Sequence, residues 1–231
     1  MKRIAKLDEL EIPNYGMPEA STYLHVPIST LRYWLVGTEN DAPLVRLAES
    51  GRRPLLSFKN LVECYVLEVI RVSHNINLSR TRYALKVALE KYPSQHPFAD
   101  YSLSTLGGCI YLDNEPLPLT DLTSGGQFAF REILAPSLRR VERNEKGIAL
   151  RLFPFTRKSQ MKNVSASPRL VVIDPKVAFG LPVLTESRIS TAFLASRFRG
   201  GDSVLEMAKD YARSQEEIEE AIIWERAKQA A

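Results

Sequence analysis

The run "FKNLVECYVLEVIRVSH", residues 58–74, constrains the fold more than any other stretch. Leu61, Val62, Tyr65, Val66, Val69 and Ile70 recur at helical spacing and form an apolar stripe too wide for a helix lying free in water. The rest of the chain therefore has to cover it. Asn60 supplies a helix start signal.

Upstream, residues 17–36 read as two short helices with a tight turn. Pro18 suits a first helical turn, and Ala20, Tyr23 and Leu24 share one face. The second helix, from about Ile28, puts Leu31 and Leu35 inward and leaves Ser29, Thr30, Arg32 and Tyr33 on other faces. His25 occupies the turn, where a left-handed backbone is expected; histidine is among the few non-glycine residues enriched there. "LVRLAESGRRPLLSF", residues 44–58, predicts two strands around Glu49-Ser50-Gly51, with Arg52 and Arg53 on the descending side and Pro54 confining the second strand to an edge.

Further along, "NLSRTRYALKVALEKY" predicts a helix with Leu78, Leu85 and Leu89 inward. "GGCIYL" and "PLPL" suggest short strands, and Gly125-Gly126 a turn. "PSLRRVERN" reads as a short helix, "GIALRLFPFT" as a strand, and Asn144 to Gly147 as the turn between them. Residues 156–169, "TRKSQMKNVSASPR", are polar and basic and read as a linker or a loop ordered by a partner. "LVVIDP" is a buried strand. Ser203 with Glu206, and Ser214 with Glu217, form two capping boxes that open the helices of a second helix-turn-helix. The fold class expected is mainly α with small β-hairpins (α+β): two winged helix-turn-helix-like domains, 1–92 and 168–231, joined by a small α+β segment, 93–167.

Composition narrows the function. An apolar content of 45% and a charged content of 25% are ordinary for a globular chain. No apolar run is long enough to span a membrane, and "MKRIAKLDELEIP" lacks the apolar core of a secretory signal. Cys64 and Cys109 stand far apart, so neither a disulfide framework nor a zinc module is expected, and a reduced, cytoplasmic setting fits. The net charge of +4 is modest, but its distribution is uneven: 13 basic and 11 acidic residues in 1–100, 10 and 6 in 101–170, 8 and 10 in 171–231. The basic front and the acidic tail predict different partners.

No catalytic constellation emerges. His25, His74 and His96 lack metal-ligand spacing, the glycine pairs build no phosphate loop, and neither cysteine sits beside an activating base. The expectation is a chain without catalytic activity, metal or cofactor. Binding fares better. A recognition helix reads base edges from its first residues while nearby cations hold phosphates. Ser29, Thr30, Arg32 and Tyr33, with Arg46, Arg52, Arg53 and Lys59 around the hairpin, supply both kinds of group. The last helix carries Glu216, Glu217, Glu219 and Glu220, which repel a phosphate backbone. Its stripe of Ile218, Ala221, Ile222 and Trp224 is a candidate surface for a homodimer or another partner, as well as part of its own domain's core.

Two resemblances follow from these motifs. "GMPEASTYLHVPISTLRYW" with "SFKNLVECYVLEVIRVSHNINLSRTRYALKVALEKY", within residues 15–92, resembles the winged helix-turn-helix of the MerR type. It departs from that pattern at His25, where glycine is usual, and at Pro27, where a serine would cap the recognition helix; loss of such a cap costs roughly 1 kcal/mol. Residues 168–226 are similar to a small winged-helix domain of unknown function found in VapB-type antitoxins. Pro175, Phe179, Gly180, Pro182, Arg188, Ile189, Gly201, Asp210, Tyr211 and Ala221 stand where its pattern expects them, although "ESR" replaces the usual "GTR". The resemblance implies an antitoxin that neutralises a PIN-like ribonuclease toxin and represses its own operon by binding operator DNA, as a homodimer or a hetero-oligomer with the toxin. On that reading Arg157, Lys158, Lys162 and Arg169 are candidates for the element that blocks the acidic nuclease site. The alternative is a MerR-like transcriptional regulator without a toxin partner.

Overall fold

The structure, a computed structural model, describes residues 8–47, 54–74, 90, 94–101, 103–106, 109–112, 115–116 and 136–229. The helix expected over "NLSRTRYALKVALEKY", the hairpin tip with Arg52 and Arg53, and the Gly125-Gly126 turn lie outside the described residues.

Strand β1 (Tyr15–Gly16) leads into α1 (Met17–Leu24) and α2 (Ile28–Val36). Between the helices His25 adopts the expected left-handed backbone, with φ 54° and ψ 30°. Its ring Nε2 lies 2.7 Å from the Phe155 carbonyl oxygen, 130 residues away. Burial keeps this imidazole below its ordinary pKa, so it is the neutral ring that donates. Leu31, Trp34 and Leu35 of α2 point into the core. Gly37 ends the helix at φ 78°, where a Cβ would lie 2.3 Å from the Asp41 carbonyl oxygen.

The expected hairpin takes a different form. Strand β2 (Leu55–Leu56) pairs antiparallel with β1, Tyr15 opposite Leu56. Residues 44–47 form no strand, because the Leu44 and Val45 amides donate to the Trp34 carbonyl at 2.8 and 3.0 Å. Those donors close the end of α2, so they are unavailable to a strand ladder.

Helix α3 (Phe58–His74) is buried around its whole circumference from Phe58 to Ile70, not on a stripe alone. Its start is a reciprocal box: the Ser57 amide donates to Asn60 Oδ1 at 3.0 Å and the Asn60 amide to Ser57 Oγ at 3.2 Å. Asn60 thus sits three residues inside the helix, and Ser57 is the cap. A helix buried on every side must partner each of its polar groups. Glu68 accepts two hydrogen bonds from Arg71, both 2.8 Å. Glu63 meets His96 Nδ1 at 2.9 Å.

Helix α4 (Pro97–Asp100) and the meander β3 (Leu103–Leu106), β4 (Cys109–Leu112) and β5 (Glu115–Pro116) follow. The predicted helix in "PSLRRVERN" covers only residues 136–138. Its second half is strand β6 (Val141–Arg143), which pairs with β7 (Ala149–Leu152) around the expected turn, where Asn144 Oδ1 accepts the Lys146 and Ile148 amides. Two arginines hold this region through backbone carbonyls. Arg140 donates to the carbonyls of Phe153, Pro154, Ser167 and Pro168, and burial pushes its pKa down to about 10. Arg143 does the same for Phe98, Ala99, Tyr101 and Gly147.

Residues 156–169 are a folded bridge, contrary to the linker reading. They form two 3₁₀ turns, Lys158–Lys162 and Val164–Ala166. Gln160 Oε1 accepts from the Thr156 amide and hydroxyl and from the Arg157 amide, and Val164 is buried. Strand β8 (Val171–Val172) pairs with β9 (Val183–Leu184), and Ile173 bridges to Leu152 of β7. Three helices complete the chain: α5 (Thr191–Arg199), α6 (Val204–Asp210) and α7 (Gln215–Gln229). Both capping boxes are present as read. The architecture is mixed α+β with small antiparallel pairs, as expected. Trp224 of α7 joins the N-terminal core, stacking on Tyr23 of α1 with ring centroids 5.2 Å apart, while Leu194, Met207 and Ile218 form a separate cluster among the C-terminal helices.

Candidate nucleic-acid interface

Helix α2 buries one side and leaves Ile28, Ser29, Arg32 and Val36 exposed on the other. Their spacing of three to four residues aligns them along the helix. Thr30 is half-buried. Tyr33 is half-buried too, and its hydroxyl donates to Asp41 Oδ2 at 2.9 Å, so it braces the loop after the helix. Arg46 is exposed, while its backbone carbonyl accepts from Asn60 Nδ2 at 2.7 Å. Arg52 and Arg53 lie outside the described residues.

Lys59 has to be removed from the phosphate-facing set. The residue is 7% exposed, and its ammonium lies 2.9 Å from Glu11, 3.0 Å from Asp100 and 3.8 Å from Asp8. Burial alone would lower its pKa, but the hydrogen bonds it donates to Glu11 and Asp100 outweigh it and the value is raised. Its charge is spent inside the molecule.

The helix N-termini differ in a way that matters for anions. Pro27 caps α2 with no side-chain acceptor, and no acidic residue lies in the first turn. Its leading amides are therefore left to solvent or to a ligand. Each C-terminal helix start is already occupied. Ser190 accepts the Phe193 amide; Glu206 accepts the Ser203 amide, which holds its pKa down; and Glu217 accepts the Ser214 amide. Arg197 is clamped by Asp202, Asp210 and the Tyr211 hydroxyl, and Arg213 by Glu186 and Glu217.

The two other predicted surfaces change more. Ile218, Ala221, Ile222 and Trp224 are all buried within this chain, so the stripe is core and offers no dimer surface. Glu220 is buried as well: it pairs with Arg157 and accepts from the Thr156 hydroxyl. Arg157 is consequently committed to α7. Arg169 is exposed and lies over the Phe153 ring at 5.5 Å, Lys158 is exposed, and the Lys162 side chain lies outside the described residues. The four cations do not form one extended arm. Among the described residues, no group of three or more His, Cys, Asp or Glu side chains is placed to hold a metal ion. No helix among them is long and apolar enough to cross a membrane.

Sequence reading missed the internal partners of Lys59, Arg140 and Arg143, which come from residues distant in the chain. It also missed the loop Ala178–Gly180, where Phe179 is 89% exposed. The only signal for that loop was the Phe179-Gly180 step of the antitoxin-type pattern.

Residues 171–224 match a family described as "Protein of unknown function (DUF433)". Over nearly its whole length the chain is similar to two proteins of Mycobacterium tuberculosis (strain H37Rv). One is named "Putative antitoxin VapB45" and is 26% identical over 234 residues, 92% of this chain and 93% of that protein. The other is named "Uncharacterized protein Rv2308" and is 24% identical over 217 residues, 90% and 88% of the two chains. The fold is similar to the crystal structure of Rv2018 from the same organism, with a TM-score of 0.64 at 18% identity over 92% of this chain and 99% of that one. The resemblance to VapB-type antitoxins with a winged-helix C-terminal domain, read above from the sequence, is borne out by the antitoxin-named relative and the DUF433 match.

Proposed function

We propose that this protein is the antitoxin of a toxin–antitoxin pair, a non-catalytic chain that binds a PIN-like ribonuclease toxin and represses its own operon through α2. Similarity to an antitoxin-named relative along 92% of the chain carries the reading. The DNA role rests on α2. Its exposed face offers Ser29 and Arg32, with Arg46 nearby, and its uncapped first turn leaves amides for a phosphate oxygen. The missing cap at Pro27, a weakness when read as helix stability, is an asset when read as an anion contact. The starts of α6 and α7 already carry their own carboxylates and Ser190 caps that of α5, so α2 is the helix start better suited to a phosphate.

The test is a mobility shift of the chain's own promoter at about 50 and 150 mM salt. Arg32→Ala is expected to weaken binding by about 1–3 kcal/mol, which is roughly fivefold to 150-fold. If wild-type protein shifts no promoter DNA at either salt, the repressor half of the reading falls. If it shifts DNA but purifies without any co-encoded nuclease, the MerR-like regulator without a toxin partner replaces it.

A further inference from the structure

We propose that Lys158, on the 3₁₀ turn Lys158–Lys162, is a DNA phosphate contact, and that the bridge at 156–169 thereby extends the interface of α2 beside the start of that helix. This rests on the repressor reading and adds to it a residue from the middle of the chain. One long-range bond brings the bridge there. His25, in the turn just before α2, donates from its ring Nε2 to the Phe155 carbonyl oxygen at 2.7 Å. Three residues after Phe155, Lys158 opens the 3₁₀ turn. That turn folds back on its own start, since Gln160 Oε1 accepts the Thr156 amide at 3.0 Å and the Arg157 amide at 3.3 Å.

Electrostatics report the same proximity. Burial is the main cause of the lowered pKa of His25. The Phe155 carbonyl opposes it, and the Lys158 ammonium adds to it by disfavouring a second positive charge. Such repulsion fades over about 10 Å in salt, so Lys158 stands beside the turn that leads into α2. Pro27, Ile28 and Ser29 are exposed at that same end of the helix.

The other cations of the bridge explain why the partner is DNA. Arg157 is pinned to Glu220 of α7, and Arg169 lies over the Phe153 ring. Lys158 is exposed and, among the described residues, is paired with no carboxylate. An arm entering an acidic nuclease site would draw on several of these cations, and two of them are committed elsewhere. A single ammonium is enough for a phosphate, which lysine meets as a point charge without fixed geometry. A recognition helix lying in a groove has backbone phosphates beside it, and contacts to them position the protein without reading sequence.

The experiment measures binding of the full chain to its own promoter and to a scrambled duplex of equal length, between about 50 and 200 mM salt. Wild type, Lys158→Ala and Lys158→Arg are compared. Lys158→Ala is expected to reduce the slope of log affinity against log salt by about 0.9, which is about an eightfold loss at about 0.1 M salt. The loss should be equal on both duplexes, and Lys158→Arg should restore the slope. If wild type binds and Lys158→Ala stays within twofold of it with the same slope, the contact is overturned and the reading of α2 stands. A loss confined to the promoter duplex would make Lys158 a base contact and also overturn it. Should Lys158→Ala leave DNA binding intact but release the co-encoded nuclease from inhibition, the bridge serves that partner and the proposal is overturned. If wild type binds neither duplex, the repressor reading falls and this contact with it.

Discussion

His25 and Phe179 both hold left-handed backbone at positions where glycine is easier, and they do so for different reasons. His25 returns the cost through its side chain: the neutral ring satisfies the Phe155 carbonyl and ties the first helix-turn-helix to the middle of the chain. Phe179 receives nothing comparable, because its ring is in solvent. Replacing it with glycine is therefore expected to stabilise the fold by about 1 kcal/mol, read by chemical denaturation. A loss of stability would mean that the ring packs on the fold after all. The turn at His25 was legible in the sequence because it depends on one residue and its neighbours. Exposure of Phe179 was not, since an aromatic beside glycine reads equally well as core.

At the level of elements, α7 illustrates how one helix serves two cores. Ile218, Ala221 and Ile222 pack with Leu194 and Met207 of the C-terminal helices, whereas Trp224 is buried against the N-terminal ones. Trp224→Ala is expected to cost about 3–5 kcal/mol. It should also split thermal unfolding into two transitions, because the stacking on Tyr23 is part of what joins the two helical ends. A single transition at lower temperature would show that the strands β6 to β9 hold the ends together without it. The bridge at 156–169 makes the same point about reading. Its polar composition is that of a linker, yet Gln160, Arg157 and Ser167 spend their polarity on nearby backbone and on Glu220. Composition reports that these groups are polar and says nothing of what they bond.

For the whole molecule, two histidines set opposing pH limits. His96 is raised above the ordinary 6.5: burial acts against it, but the hydrogen bond and charge of Glu63 prevail. A raised folded value contributes stability that is complete below 6.5 and is lost as pH rises through the folded pKa. His25 is lowered by burial, so its contribution is present above 6.5 and is lost as pH falls through its folded pKa. Together they place a maximum of their combined contribution near pH 6.5. Denaturation midpoints across pH 5 to 9, a window on the order of the histidine range, should show His96→Gln flattening the alkaline side. His25→Asn, which tolerates the left-handed turn, should flatten the acidic side. Alkaline loss that is unchanged in His96→Gln would assign it to other groups.

By itself the sequence determined the local elements: helices α1, α2 and α3, the turn at His25, the turn at Asn144, both capping boxes and the strand at Val171. Each is set by periodicity, capping or turn chemistry within a few residues, where the partners are named by spacing. Only the tertiary structure decided which charges and which apolar faces remain outside. Lys59 looked like a phosphate contact until Glu11 and Asp100 closed on it. Trp224 looked like a partner surface until Tyr23 covered it. The physical reason is common to both. Burial and ion pairing depend on neighbours brought from tens to hundreds of residues away, and a linear pattern carries the side chain's chemistry but not the identity of what is packed against it.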